Sequence, residues 1–164
     1  MELCAEIKVE RIGPQNTSNA REIAYFGILA WGRTPTPEDL DRRTLHIAEE
    51  LSSLEPEYSC LFIARSSQDL VGFARIKKHR DQPDAWMLLG LVVHPDCRRQ
   101  GIGSHLTQAC VSYAQQKGAR RVLSETHLGN SASIQFHEAF GFRNTGRIVA
   151  QDGDQKVGFE LSLA

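Results

Sequence analysis

No stretch of this 164-residue chain is apolar for anything near the roughly twenty residues a bilayer-spanning helix needs, so no membrane class is expected. The N-terminal MELCAEIKVERIG carries charges throughout and has no uninterrupted apolar centre, which argues against a secretory signal and for a cytoplasmic protein. An excess of charge of either sign is also missing. Nineteen Lys and Arg face twenty Asp and Glu, a formal net charge of −1, and that balance offers nucleic acid no broad electrostatic footprint. Cysteine is sparse and scattered: Cys4, Cys60, Cys97 and Cys110 form no C-x-x-C pair, which speaks against a zinc ribbon or a redox dithiol and leaves buried reduced thiols. The six histidines fall at no H-E-x-x-H or comparable ligand spacing, so no metal is expected. Internal repeats and low-complexity segments are absent from the sequence.

What remains is an ordinary globular composition, 41% hydrophobic and 24% charged, on a chain long enough for one substantial core; a single domain over residues 1–164 is expected. Alternation at Ile7, Val9 and Arg11 suggests an N-terminal strand, and residues 20–31 read as a helix. A second helix should start near Thr36 or Pro37, where Glu38 and Asp39 suit a first turn. Residues 61–65 and 70–76 are short strands around an SSQD hairpin loop. Residues 86–93 are almost continuously apolar, as expected of a strand buried on both faces at the centre of a sheet. Ile102, Leu106, Ala109, Cys110, Tyr113 and Ala114 mark one face of an amphipathic helix stopped by Gly118. A strand over residues 121–126 leads to a helix with Ala132, Phe136, Ala139 and Phe140 as its apolar face, ended by Gly141. The chain closes with a hairpin of residues 147–151 and 156–163 around DGD. This order predicts an α/β fold, a mixed sheet with helices packed on its faces.

The chemistry concentrates in VVHPDCRRQGIGSHL, residues 92–106. Gly101 and Gly103 remove Cβ atoms where a strand turns into a helix, so several backbone N–H groups can converge on one anion at the positive end of the helix dipole. Arg98 and Arg99 add charge-assisted donors and Ser104 a hydroxyl, which fits a phosphate or pyrophosphate. The plainer alternative is a tight turn flanked by solvated arginines. Two known phosphate loops do not match the spelling. The Rossmann fingerprint requires a third glycine where Leu106 stands and a first glycine directly after the strand, and G-x-x-x-x-G-K-[ST] does not occur. A nucleic-acid module built on RRQGIG is disfavoured because no aromatics interleave the basic residues.

The segment does resemble the acetyl-coenzyme A loop of the GNAT superfamily of N-acetyltransferases. Val93-His94-Pro95 is followed by Arg98-Arg99-Gln100-Gly101-Ile102-Gly103, and downstream Asn130 precedes Gly141-Phe142 by the family's eleven residues. The resemblance implies a GNAT-like fold of about seven strands with helices on both faces, and an enzyme that uses acetyl-CoA as cosubstrate and an amine as acceptor, with no metal, nucleic acid or membrane partner; a homodimer is allowed for. It further implies that the amides from Arg99 to Ser104, with Arg98, Gln100 and Ile102 in the same loop, hold the pyrophosphate. The backbone of Leu91, Val92 and Val93 would pair with the pantetheine arm as an added strand. Strands matching residues 86–94 and 121–126 would splay around the thioester, and Asn130 would meet the pantetheine from the far side unless it serves only to cap the next helix.

A tyrosine usual in GNAT helices is replaced by His137, whose proton would go to the departing thiolate, with Ser133 one turn earlier on the same face; a surface histidine is the alternative. Leu91 N–H would polarise the thioester carbonyl. Glu125 is the candidate general base, with His94 and His127 behind it. The spelling S-E-T with N-x-x-S-x-x-x-H-x-x-x-G-F, residues 124–142, is similar to aminoglycoside 6′-N-acetyltransferases, although Leu88 and Leu89 stand where such enzymes often carry a glutamate. A small primary amine, aminoglycoside-like or polyamine-like, is therefore the expected acceptor. Glu38, Asp39, Asp41, Glu49 and Glu50 would attract it if they are not merely a solvated helix face. Acetylation of a protein N-terminus or lysine is one alternative, and a non-catalytic acyl-CoA sensor is another.

Overall fold

The computed structural model describes residues 6–163. The strands are β1 (Ile7–Ile12), β2 (Ser59–Ser66), β3 (Asp69–Lys78), β4 (Ala85–Val93), β5 (Arg121–His127), β6 (Arg143–Val149) and β7 (Gln155–Ser162). The helices are α1 (Ala20–Ala30), α2 (Pro37–Ser52), α3 (Ile102–Gln116) and α4 (Ser131–Phe140), with short 3-10 turns at Pro14–Asn19 and Pro95–Cys97. The strands form one sheet in the order β1-β2-β3-β4-β5-β7-β6, so β4 is central as expected. β4 and β5 are parallel, whereas β1/β2, β5/β7 and β6/β7 are antiparallel. The length of α3 and its stop agree with the periodicity: Gly118 adopts φ +85°, and Ala119 N–H caps Ala114 O at 3.0 Å.

Contacts divide the chain into two compact units. The first comprises Met1–Arg75 with Gly90–Cys110, the second Ile76–Leu89 with Val111–Ala164.

In the first unit, α1 and α2 lay their apolar faces on the N-terminal strands. Ile12, Ile23, Phe26, Leu51, Leu61, Ile63 and Leu70 form the core, and Ile47, Leu54, Phe73 and Val92 pack against it. α2 starts where the sequence indicates: Pro37 occupies the first turn and Thr36 Oγ1 accepts the Asp39 N–H at 3.2 Å. Gly72 on β3 is the most tightly packed of the described glycines in this unit. A Cβ there would stand 2.9 Å from Leu106 Cδ1, 3.0 Å from Val92 O and 3.3 Å from Ile102 Cγ2, so the missing side chain is what lets β3, β4 and the first turns of α3 approach.

In the second unit, Trp86 packs edge-on against Tyr113 at 6.0 Å between centroids, and Val122 and Phe159 are fully buried. Three sequence expectations are corrected here. β4 is not buried along its whole length: Ala85, Trp86 and Leu88 are buried, whereas Gly90 is exposed with φ +61° and Leu91 to Val93 are half-buried. A left-handed residue in mid-strand makes a bulge, and an apolar run by itself gives no sign of one. The inward face of α4 is also different. Ala132 and Ala139 are exposed, and the buried residue is His137, so the helix is rotated about a histidine that hydrophobic periodicity treats as polar. β6 begins at Arg143, four residues before the apolar signal, because every residue of this edge strand is exposed and none needs to be apolar.

Candidate functional site

In the first unit, β4 delivers the chain to its loop through two fixed points. His94 N–H donates to Val71 O at 2.8 Å, and His94 Nδ1 accepts the Asp96 N–H at 3.1 Å. Arg99 (φ +61°) and Gly101 (φ +81°) then turn left-handed on either side of Gln100. A left-handed arginine costs on the order of 1–3 kcal/mol and is retained only where its surroundings fix it. The first backbone bond of α3 runs from His105 N–H to Gly101 O at 3.0 Å. Among the described residues, the N–H groups of Arg99, Gly101, Ile102, Gly103 and Ser104 have no backbone acceptor. Ile102 and Leu106, 1% and 0% exposed, anchor the helix, while Arg98, Arg99, Gln100, Gly101 and Ser104 face solvent. The result is an open, anchored cluster of donors at the positive end of a helix dipole, suited to an anion.

In the second unit, β5 pairs Ser124 with Phe159 of β7, and His137 of α4 lies over that pair. Its ring stacks on Phe159 at 4.5 Å and 13°, with Phe142 edge-on at 5.2 Å. His137 Nδ1 is 2.7 Å from Ser133 O; a carbonyl only accepts, so Nδ1 carries the proton. Nε2 is then the acceptor for the Ser124 hydroxyl at 2.8 Å. The imidazole is 4% exposed, and burial holds its pKa below the ordinary value of 6.5, which the bond to Ser133 O only partly offsets. The surface alternative for His137 is thereby excluded. Asn130 caps α4, its Oδ1 accepting the Ser133 N–H at 3.1 Å.

This burial has a pH signature. Below pH 6.5 the unfolded chain takes up a proton that folded His137 resists, so stability falls with acid, by at most about 1.4 kcal/mol per pH unit. Glu22 and Asp84, held low chiefly by hydrogen bonds from Arg65 and Arg121, lose their contributions only below their ordinary values of 4.5 and 3.8, outside this window. Urea unfolding of the parent and of His137→Gln at pH 7.5 and 5.5 should show the smaller acid loss in the variant; equal losses would remove His137 as the cause.

The remaining sequence-predicted groups are dispersed in role. Glu125 is on the exposed side of β5, its side chain 38% exposed and 3.6 Å from Lys156 Nζ. His127 Nδ1 is 3.0 Å from Asp154. His94 Nδ1 already accepts a backbone proton, so neutral His94 carries its own proton on Nε2 and offers no free basic nitrogen. On α2, the acids are largely matched by arginines: Asp39 by Arg33 at 2.9 Å and by Arg42, Asp41 by Arg21 at 3.0 Å, and Glu50 by Arg75 at 2.5 Å. Glu38 and Glu49 are exposed on the same helix. Sequence reasoning missed the Ser124 hydroxyl as the partner of His137; its signal was alternation, since Val122, Ser124 and Thr126 share the buried face of β5. Among the described residues no group of three His, Cys, Asp or Glu could hold a metal ion, and no helix is long and apolar enough to cross a membrane.

Comparison with known proteins agrees with this geometry. The model of the acetyltransferase (GNAT) family matches residues 25–142. The probable N-acetyltransferase camello of Xenopus laevis is 32% identical over 102 residues, covering 59% of this chain and 47% of that protein, so the chain spans about half the length of that relative. The aminoglycoside N(6′)-acetyltransferase type 1 of Salmonella typhimurium is 28% identical over 110 residues, 63% of this chain and 76% of the relative. Among solved structures, a GNAT-family protein from Desulfovibrio desulfuricans superposes with a TM-score of 0.75 at 22% identity, covering 97% of this chain and all of the other. The yncA protein of Salmonella typhimurium, solved with acetyl-CoA, superposes with a TM-score of 0.70 at 16% identity over 96% of this chain and 94% of its own. With the family match extending from α1 through the strand, loop and helix that carry the unpaired amides to the end of α4, the chain belongs to the GNAT family of acetyltransferases.

Proposed function

We propose that this protein transfers the acetyl group of acetyl-CoA to a primary amine of a small molecule. The observation that carries the reading is the set of amides at the start of α3, left without backbone acceptors where a pyrophosphate would sit. Arg98 and Arg99 add positive charge, Gln100 and Ser104 complete the loop, and the half-buried backbone of Leu91, Val92 and Val93 offers a strand edge for the pantetheine arm. The helix cap at Asn130 uses only its Oδ1, which leaves Nδ2 out of that bond.

Transfer forms a C–N bond as the C–S bond breaks, and a proton from the amine ends on sulfur. Leu91 N–H polarises the carbonyl. Neutral His137 has its only proton committed to Ser133 O, so it serves this reading by seating α4 on β5 and β7, with Ser133 as its backbone partner, and water carries the proton to sulfur. Glu125 is the acid this reading assigns to accept a proton through water, being exposed and only loosely held by Lys156. An aminoglycoside-like or polyamine-like acceptor is supported by the relative of that name and weakened by the arginines that neutralise α2.

Two measurements test the proposal. Calorimetry should show coenzyme A binding to the folded protein, and thiol release from acetyl-CoA should depend on an added amine. Absence of binding would overturn the reading. Binding without thiol release across amines and peptides would favour the acyl-CoA sensor instead.

A further inference from the structure

We propose that the acceptor carries an anionic group a few bonds from its amine, as an amino acid does, and that Arg43 of α2 receives it with Arg75 of β3 alongside. This rests on the acetyltransferase reading and names the acceptor class for that same site. The first observation is an arginine on α2 that no acid answers. Its Asp39, Asp41 and Glu50 each meet an arginine, but Arg43 makes no ion pair among the described residues. Arg43 is half-buried, and its Nε is a buried donor with no hydrogen-bond partner; Arg75 Nε is in the same condition although Arg75 holds Glu50 through its terminal nitrogen. A guanidinium cannot escape by losing its proton, so an orphaned N–H at this depth calls for an acceptor. Glu50 answers Arg75, whereas Arg43 is left without a carboxylate partner among the described residues and is the guanidinium that can receive an anion.

The second observation is position. On α2, Arg43 precedes Ile47 by one turn and Glu50 by two, and Ile47 packs on the core, so Arg43 continues the inward stripe. On β3, Phe73 and Arg75 share the face that meets the helices: Phe73 is edge-on to Phe26 of α1 at 5.9 Å, and Arg75 reaches Glu50 of α2. Bonds from His94 N–H to Val71 O and from His79 N–H to Ala85 O run β3 and β4 antiparallel, and a Cβ at Gly90 would lie 3.8 Å from the Phe73 ring. The His94–Val71 bond sets Arg75 opposite Gly90 on the neighbouring strand, and Leu91 follows that residue directly. An acceptor with its amine near Leu91 N–H can place an anion toward Arg75 and Arg43 only if the two groups are close together in the molecule.

The test uses paired acceptors with the full chain: phenylalanine against phenethylamine, methionine against its decarboxylated amine, and spermidine as a polycation. Thiol release should favour each amino acid over its decarboxylated partner by about tenfold or more in kcat/KM, the scale of a charge-assisted hydrogen bond. Arg43→Gln should erase that ratio through KM while calorimetric affinity for coenzyme A stays unchanged, and Arg43→Lys, which keeps the charge and loses the fork, should retain part of it. Preference for the decarboxylated amines or spermidine, or a ratio untouched by both variants, would overturn the proposal. If coenzyme A binds and no amine is turned over, the acetyltransferase reading fails, and thermal shifts of the coenzyme A-loaded protein then decide the anion site separately. Stabilisation by N-acetylphenylalanine but not by N-acetylphenethylamine, lost in Arg43→Gln, sustains it; equal shifts reject it.

Discussion

Gly101→Val is expected to weaken coenzyme A binding by about 100-fold or more, with little change in melting temperature. The effect comes from backbone conformation. A Cβ at Gly101 would meet only the His105 ring, at 3.8 and 3.9 Å, which is ordinary contact. The obstacle is φ +81°, a region that a β-branched residue enters only at a cost of on the order of 1–3 kcal/mol. An exposed loop relieves that strain by rotating, and rotation turns the amides of Arg99, Gly101 and Ile102 away from a common point. Several charge-assisted bonds are lost together, each worth about 1.5–3 kcal/mol. Gly153→Val supplies the control, since Gly153 has φ +84° and open space around it in the last hairpin. It imposes similar strain and should leave coenzyme A affinity unchanged. Calorimetry and thermal melting of both variants read the difference; a Gly101 variant that binds normally would break the link between this turn and the diphosphate.

Gly72→Val should damage the fold itself, by about 3 kcal/mol or more in urea unfolding, as expected when bulk is forced into a closed core. Leu106 Cδ1 at 2.9 Å and Ile102 Cγ2 at 3.3 Å belong to side chains that can shift a little. Val92 O at 3.0 Å is backbone and can retreat only if β4 moves from β3. Because Ile102 directly follows Gly101, the strain also reaches the loop, so this variant should lose coenzyme A affinity along with stability. A melting temperature within a degree of the parent would contradict the packing described for β3.

The comparison of these two glycines shows what could be read from the sequence. Gly101 stood out because its neighbours spell a loop, and the strand before it and the helix after it lie where the periodicity put them. Gly72 gave no signal, since its role comes from α3 residues thirty or more positions away. The same division runs through the site. The register of His137 with the family tyrosine position was legible, but its burial was not, because the partners that accept it, Ser124 and Phe159, lie on other strands. Likewise the acidic character of α2 was plain, while the arginines that answer it come from α1, the α1–α2 connection and β3 as well as α2 itself. Local pattern fixes elements; the state of a charged or titratable group depends on what tertiary packing brings beside it.

Burial raises the thiol pKa of Cys60 to about 11 and pushes that of Cys110 further still. Both therefore stay protonated and resist alkylating reagents and peroxide. Cys97 is half-exposed and sits one residue before Arg98. Among the described cysteines, oxidative damage reaches that position first, so it would be felt in the loop that opens α3 before it was felt in the folded core.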